Sequence, residues 1–421
     1  MESTPLESLP AELRIQILLN CPDLKSVQSI VQASTAYELT YKRIEHELLL
    51  NLLNANYDGL VDMVDAVTAI RSSGLYAFDP AHKENIYALL DCWRRSEEIC
   101  RLQLPSAGYR IEMPNTDEIL KLLDLHDIAK YFLDDYSRSA LCPVWMNSTR
   151  WNSEVLPLSL SIIEKRRFMR GFYRLQIYAN IFGHIEYPVH KDHDRIDNNW
   201  LDKTFTMEEA WRVLFSPMAP WEIAELGCVW RHIYDKIEPL YTEIADNLMQ
   251  YRMNQIGFPE EITLPADCIQ LDPDDLHQND LEILPALVAT GSTFCFEFIR
   301  LESFLDRRDL ILSNGRQCVW CFPEICLAAD PSHMPLLHPA EQFNFGRDRQ
   351  GMIGFLETLP PTKRPNLAFS RYWIYDDYPE SPVFESYFQM QMGQHLWKWG
   401  YAIWEDERLH VWDAPQEYPN P

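Results

Sequence analysis

The chain reads as mainly α: a small N-terminal unit of three helices, a large irregular helical body and a small C-terminal β-hairpin. Three observations predict this. Apolar residues recur at three- and four-residue spacings through long segments, and Pro and Gly clusters break those segments at intervals. No fixed-period repeat of the leucine-rich, WD or kelch kind runs through the 421 residues.

The first unit is built on Leu9 to Val31, LPAELRIQILLNCPDLKSVQSIV. Pro10 suits the first turn of a helix, where its missing N–H is not needed, and Asp23 after Pro22 can cap a second helix. At about 100° per residue, Leu13 and Ile17 fall on one arc of the first helix and Ile15, Leu18 and Leu19 on the nearly opposite side. That helix therefore asks for apolar neighbours on two faces. The second carries a single stripe, Leu24, Val27, Ile30 and Val31, and Tyr37, Tyr41, Ile44 and Leu48 make a third. Three helices of this size cannot cover one another, so further apolar surface must come from the body or from another protein. The positions predicted to dock a partner are Leu9, Pro10, Leu13, Ile17, Leu18, Leu24, Val27 and Val31.

Leu9-Pro10 with Glu12-Leu13, Ile17-Leu18, Pro22-Asp23-Leu24, Val27 and Val31 resembles an F-box across about residues 6 to 50, with Tyr37 and Tyr41 in the third helix, where F-boxes often carry a tryptophan. The resemblance implies docking on a Skp-type adaptor that recruits a cullin-RING ubiquitin ligase, with the chemistry left to other subunits. RRFMRGFYRLQIYANIFG and WGYAIWEDERLHVWD are in turn similar to recurring segments of F-box-like proteins from filamentous fungi. A domain division at 1–52 and 53–421 follows, the second part presenting a protein substrate.

Beyond the first unit, amphipathic segments at roughly 57–71, 81–101, 116–135, 159–182 and 222–252 read as helices. Asp79-Pro80, Pro105 to Gly108, Pro114-Asn115 and Ser216-Pro217 separate them. Between Arg252 and Arg300 no Lys or Arg occurs while acids and prolines accumulate, which marks a candidate subdomain break near 255–282. From about Pro323 to Pro382 frequent prolines and poor periodicity predict ordered loops. At the end, FESYFQMQMGQHLWKWG reads as a helix stopped by Gly400. YAIW and RLHVW around Glu405-Asp406-Glu407 then read as the hairpin.

Composition narrows function. A formal charge of −26, from 37 basic and 63 acidic residues, opposes nonspecific binding to nucleic acid or anionic membranes, both of which need phosphates neutralised. The start MESTPLESLPAELR lacks the basic and apolar regions of a secretion signal, and no run of about 18 apolar residues occurs, so a cytoplasmic or nuclear chain is expected. Ten scattered cysteines fit reduced thiols, and the Asn147 sequon then carries no meaning.

One basic stripe stands out. Arg166, Arg170 and Arg174 recur every four residues opposite Phe168, Phe172 and Leu175. It reads either as a dock for an acidic or phosphorylated ligand or as internal pairing, and in so acidic a chain the second is favoured. Cys318, Cys321 and Cys326, with His333 and His338, form an incomplete zinc pattern, and buried small apolar residues are the favoured reading, so no metal is expected. His190, Asp192, His193, Asp194 and Asp197 form a polar loop whose His193-Asp194 pair resembles that of metal-dependent HD phosphohydrolases, and a solvated loop explains it as well. No Walker, dinucleotide, Gly-x-Ser-x-Gly or His-Glu-x-x-His motif is present, and no cofactor is expected. The expected function is a non-catalytic F-box-like adaptor with a Skp-type partner. The alternatives are a scaffold whose F-box-like segment packs internally, and a hydrolase built on His190, His193 and Asp194.

Overall fold

The computed structural model describes residues 6–102, 112–186, 200–253, 283–314, 349–373 and 394–415. Helices predominate, as the spacings predict, and no strand occurs among the described residues beyond an isolated bridge between Leu201 and Phe205. The region 255–282, the loop from His190 to Asp197 and the cysteines Cys318, Cys321 and Cys326 lie outside the described residues.

The N-terminal helices are α1 (Ala11–Leu19), α2 (Leu24–Ala33) and α3 (Thr35–Tyr57). Asp23 caps α2 as expected, its carboxylate accepting the Ser26 N–H at 2.7 Å. Pro10 stands one place earlier than expected, as the cap itself, its carbonyl accepting from Leu13 and Arg14 at 3.1 and 3.2 Å. The third helix runs on beyond Leu48 to Tyr57, so one helix serves both the N-terminal unit and the body, crossing residue 52 without a break. It stops where Asp58 and Gly59 take φ of 43° and 67°, left-handed values that glycine accepts without a Cβ clash.

The body continues with α4 (Met63–Arg71), α5 (Lys83–Leu102), α6 (Thr116–Ser139), α7 (Ser148–Arg150), α8 (Ile162–Phe182), α9 (Met207–Ala210) and α10 (Pro220–Met253). Then come α11 (Ile283–Ala289), α12 (Ser292–Arg300) and α13 (Phe304–Asn314). Side chains set several of the starts. Asn115 and Glu118 form a reciprocal capping box on α6 (2.9 and 2.9 Å), Ser161 and Glu164 one on α8 (3.2 and 2.9 Å), and Thr206 and Glu209 one on α9 (3.1 and 2.8 Å). α11 and α12 meet at a bend of 110°, and no single described helix is long and apolar enough to cross a membrane.

α8 is the axis of the core. α4, α6, α10 and α12 pack on it, and every side chain from Arg167 to Ala179 is buried. Gly171 lets α10 approach: a Cβ there would lie 2.9 Å from the Glu225 carbonyl oxygen and from a Val229 methyl. α3 lies outside α6, and α1 and α2 lie on α3.

Two regions differ from expectation. Part of the proline-rich stretch is helical, in Arg349–Thr358 and Leu367–Trp373. The C-terminal hairpin is absent. Tyr401, Ala402, Ile403 and Trp404 are all buried, so the in-out alternation a half-exposed strand requires is missing, and they form turns after Gly400 (φ 71°). Asp406–Val411 is a helix, with Asp406 and Glu407 in its first turn and Arg408 and His410 in its last, the arrangement the helix dipole favours. Leu409 and Trp412, three apart, are its buried side. Glu405-Asp406-Glu407, expected as the hairpin turn, open this helix instead, Glu405 as its N-cap.

Candidate functional site

The predicted docking positions separate into two groups. Leu18 and Val27 are fully buried inside the N-terminal unit, and Ile17, Leu24 and Val31 are half-buried against the same core. Leu9 is half-buried and Pro10 exposed, while Leu13 is 45% exposed. Of the two arcs of α1, the one through Leu18 turns inward and Leu13 faces solvent. Two more exposed leucines lie in this unit, Leu6 at 60% and Leu39 at 58%. The stripe reading missed Leu39 because it lies off the Tyr37–Tyr41 line. Its sequence signal was a leucine without a partner three or four residues away on its own face.

Contacts between elements tie Leu6 and the turn that carries Leu13 to the start of α3. Arg14 donates from Nη1 to the Ala36 carbonyl at 2.9 Å, tying the turn that carries Leu13 to the start of α3. The Tyr37 hydroxyl donates to the Leu6 carbonyl at 3.5 Å. Leu39 comes two residues after Tyr37, on the opposite, solvent-facing side of α3, next to a surface pair of Lys42 and Glu38 at 2.7 Å. Large exposed apolar groups are the ordinary raw material of a protein interface.

The arginine stripe is turned inward, except for Arg166, which is half-exposed and donates to the Gly59 carbonyl at 2.7 Å. Arg170 grips Glu225 with two hydrogen bonds of 2.6 Å, and Arg174 bridges Asp65 (3.1 Å) and Glu222 (2.7 Å). Burial pulls the Arg170 pKa down, and the charges of Glu225 and Glu222 more than offset this and hold it above its usual value. Arg167, absent from the predicted stripe, donates to the carbonyls of Ile403 and Trp404 at 3.3 and 2.6 Å and so fastens the C-terminal turn to α8. Arg170 and Arg174 thus neutralise buried carboxylates from α4 and α10.

No family model, curated protein or solved structure matches this chain.

Its titratable centres are therefore read from geometry alone. The His126 Nε2 lies 3.0 Å from the Asn56 carbonyl and must carry the proton there, which leaves Nδ1 to accept from the Tyr173 hydroxyl at 3.2 Å. Burial, with Lys130 nearby, pulls its pKa down to about 4. Asp135 is opposed by burial but held at about 2 by hydrogen bonds from His232 and Lys236, at 3.0 and 2.9–3.0 Å. Burial pushes the Cys228 thiol up, away from the thiolate a nucleophile needs. Among the described residues no three His, Cys, Asp or Glu side chains converge as metal ligands.

His126 makes stability depend on pH. Below its ordinary value of 6.5 the unfolded chain takes up a proton, whereas the folded site stays neutral until about 4. Stability is thus fully present above 6.5 and falls as pH drops toward 4. Taking the native chain from pH 7.5 to 5 should cost about 2 kcal/mol through this group. His126→Gln, which can keep a donor toward Asn56, should flatten that part of the urea-midpoint profile. An unchanged slope in the variant would show that His126 is not its source.

Proposed function

We propose that the chain is a non-catalytic adaptor whose N-terminal helical unit docks a Skp-type partner through Leu6, Leu13 and Leu39, with half-buried Leu9 and exposed Pro10 contributing. The helical body then holds a protein to be delivered to a ubiquitin ligase. The observation that carries this reading is the exposure of leucines from the first turn, α1 and α3 in a unit whose own core is already filled by Leu18 and Val27. Half-exposed as they are, each forgoes roughly 1 kcal/mol of burial, which a partner recovers. The F-box-like pattern from Leu9 to Val31 supports the identity of that partner.

Leu13→Asp with Leu39→Asp should abolish copurification with a Skp-type adaptor, at least a hundredfold in affinity, while the urea midpoint stays within about 0.5 kcal/mol of the parent. Leu18→Asp is the contrasting variant, since a carboxylate at a fully buried position should unfold the unit itself. A second reading has its own support. Burial of Leu18 and Val27 and continuation of α3 into the body suit a scaffold in which this segment is internal packing. Intact folded protein that binds no Skp-type adaptor would favour the scaffold and remove the adaptor.

A further inference from the structure

A cleft of about 330 Å³ opens between α6, the extended stretch 156–160 and the first turns of α8, with the end of α3 closing one side. Its α6 wall runs from His126 to Ser137, about 16 Å of helix. Leu60, Leu133, Leu158, Leu160 and Met169 make the apolar part. The size falls at the lower end of small-ligand sites, which combine an apolar lining with a few convergent polar groups.

Most polar groups here are already engaged. Lys130 donates to the Asn56 side-chain oxygen at 3.0 Å and pairs with Asp127 at 3.1 Å. The Ser137 hydroxyl donates to the Asp134 carbonyl at 2.7 Å, and the Asp134 carboxylate stands at the exposed edge. Two donors remain. Lys165 lines the cleft and has no carboxylate within ion-pair distance among the described residues, although acids outnumber bases 63 to 37 in the chain. In the extended stretch, the Leu158 N–H is taken by the Ser137 carbonyl at 2.7 Å. The Leu160 N–H, two residues on, meets no partner among the described residues.

We propose that this cleft binds a small amphipathic carboxylate. Its head is received by the Lys165 ammonium and the Leu160 N–H, and its hydrocarbon body lies along half-buried Leu60, above the buried side chains of Leu133 and Met169. Two open donors beside an apolar wall select an anionic head over a neutral or cationic one, since charge-assisted hydrogen bonds are about twice as strong as neutral ones. The site is separate from the leucine surface, and neither proposal depends on the other.

The test uses the full-length chain with [methyl-13C]methionine, octanoate and the neutral octanamide as probes, and Met169 assigned by Met169→Leu. Octanoate should shift the Met169 signal saturably, and octanamide should bind at least tenfold more weakly. Lys165→Gln should weaken octanoate at least tenfold while leaving octanamide and the thermal midpoint unchanged, and Leu13→Asp should leave both probes unaffected. Equal binding of the two probes, octanoate affinity retained in Lys165→Gln, or shifts confined to methionines other than Met169 would each overturn the proposal.

Discussion

Arg174→Leu should lower the stability of the folded chain by about 3–5 kcal/mol, the cost of stranding buried carboxylates without their cation. Arg174 is fully buried on the core helix α8. It bonds Asp65 on α4 and Glu222 on α10, and it stacks over the Trp93 ring of α5 at 5.5 Å. Trp93 in turn donates to the other Asp65 oxygen at 2.8 Å, so four helices meet at one guanidinium. Arg174→Lys should also destabilise, because an ammonium cannot span both carboxylates as a planar fork does. Adding Asp65→Asn to Arg174→Leu should restore part of the loss, since the double variant buries one charge fewer. Urea unfolding followed by tryptophan fluorescence measures all three. A change below about 0.5 kcal/mol for Arg174→Leu is what an exposed docking arginine would give, and it would remove the internal-pairing account.

Trp404→Ala should cost about 3–5 kcal/mol, the range for emptying a large aromatic from a packed interior. Trp404 is fully buried, stacks on Tyr136 with ring centroids 5.2 Å apart and meets Trp412 edge-on at 5.2 Å. Its Nε1 donates to the Trp399 carbonyl at 2.7 Å. Its own carbonyl accepts from Arg167 and from Asn366, at 2.6 and 2.9 Å, so the residue joins the C-terminal turn to α8 by side chain and backbone together. The loss should be accompanied by faster hydrogen exchange through 399–412 than through α8. Uniform acceleration across the molecule would show instead that the turn has no separate stability of its own.

Much of the helical fold was legible because it rests on local rules. Asn115 three before Glu118, and Ser161 three before Glu164, announce helix starts, and both boxes close in the structure. The C-terminal error has a physical origin: YAIW and RLHVW have the composition of strands, but burial on every side of Tyr401 to Trp404 is imposed by α8 and α10, which no local window contains. At the candidate site, Leu13 could be named from periodicity. Its exposure could not, since which arc of α1 turns inward depends on where α3 lies. The Lys165 cleft was illegible for the same reason, for it is assembled from α3, α6, the stretch 156–160 and α8.

The length of α3 has a mechanical consequence. Leu39, on the leucine surface, and Asn56, at the wall of the cleft, sit on the same uninterrupted helix, about 26 Å apart along its axis. A helix is stiff over that distance, and the left-handed residues Asp58 and Gly59 come only after both positions. The segment therefore works as a ruler: a molecule gripped at one end is held at a set bearing to whatever sits at the other, and tilting one without the other requires bending a helix packed on α6.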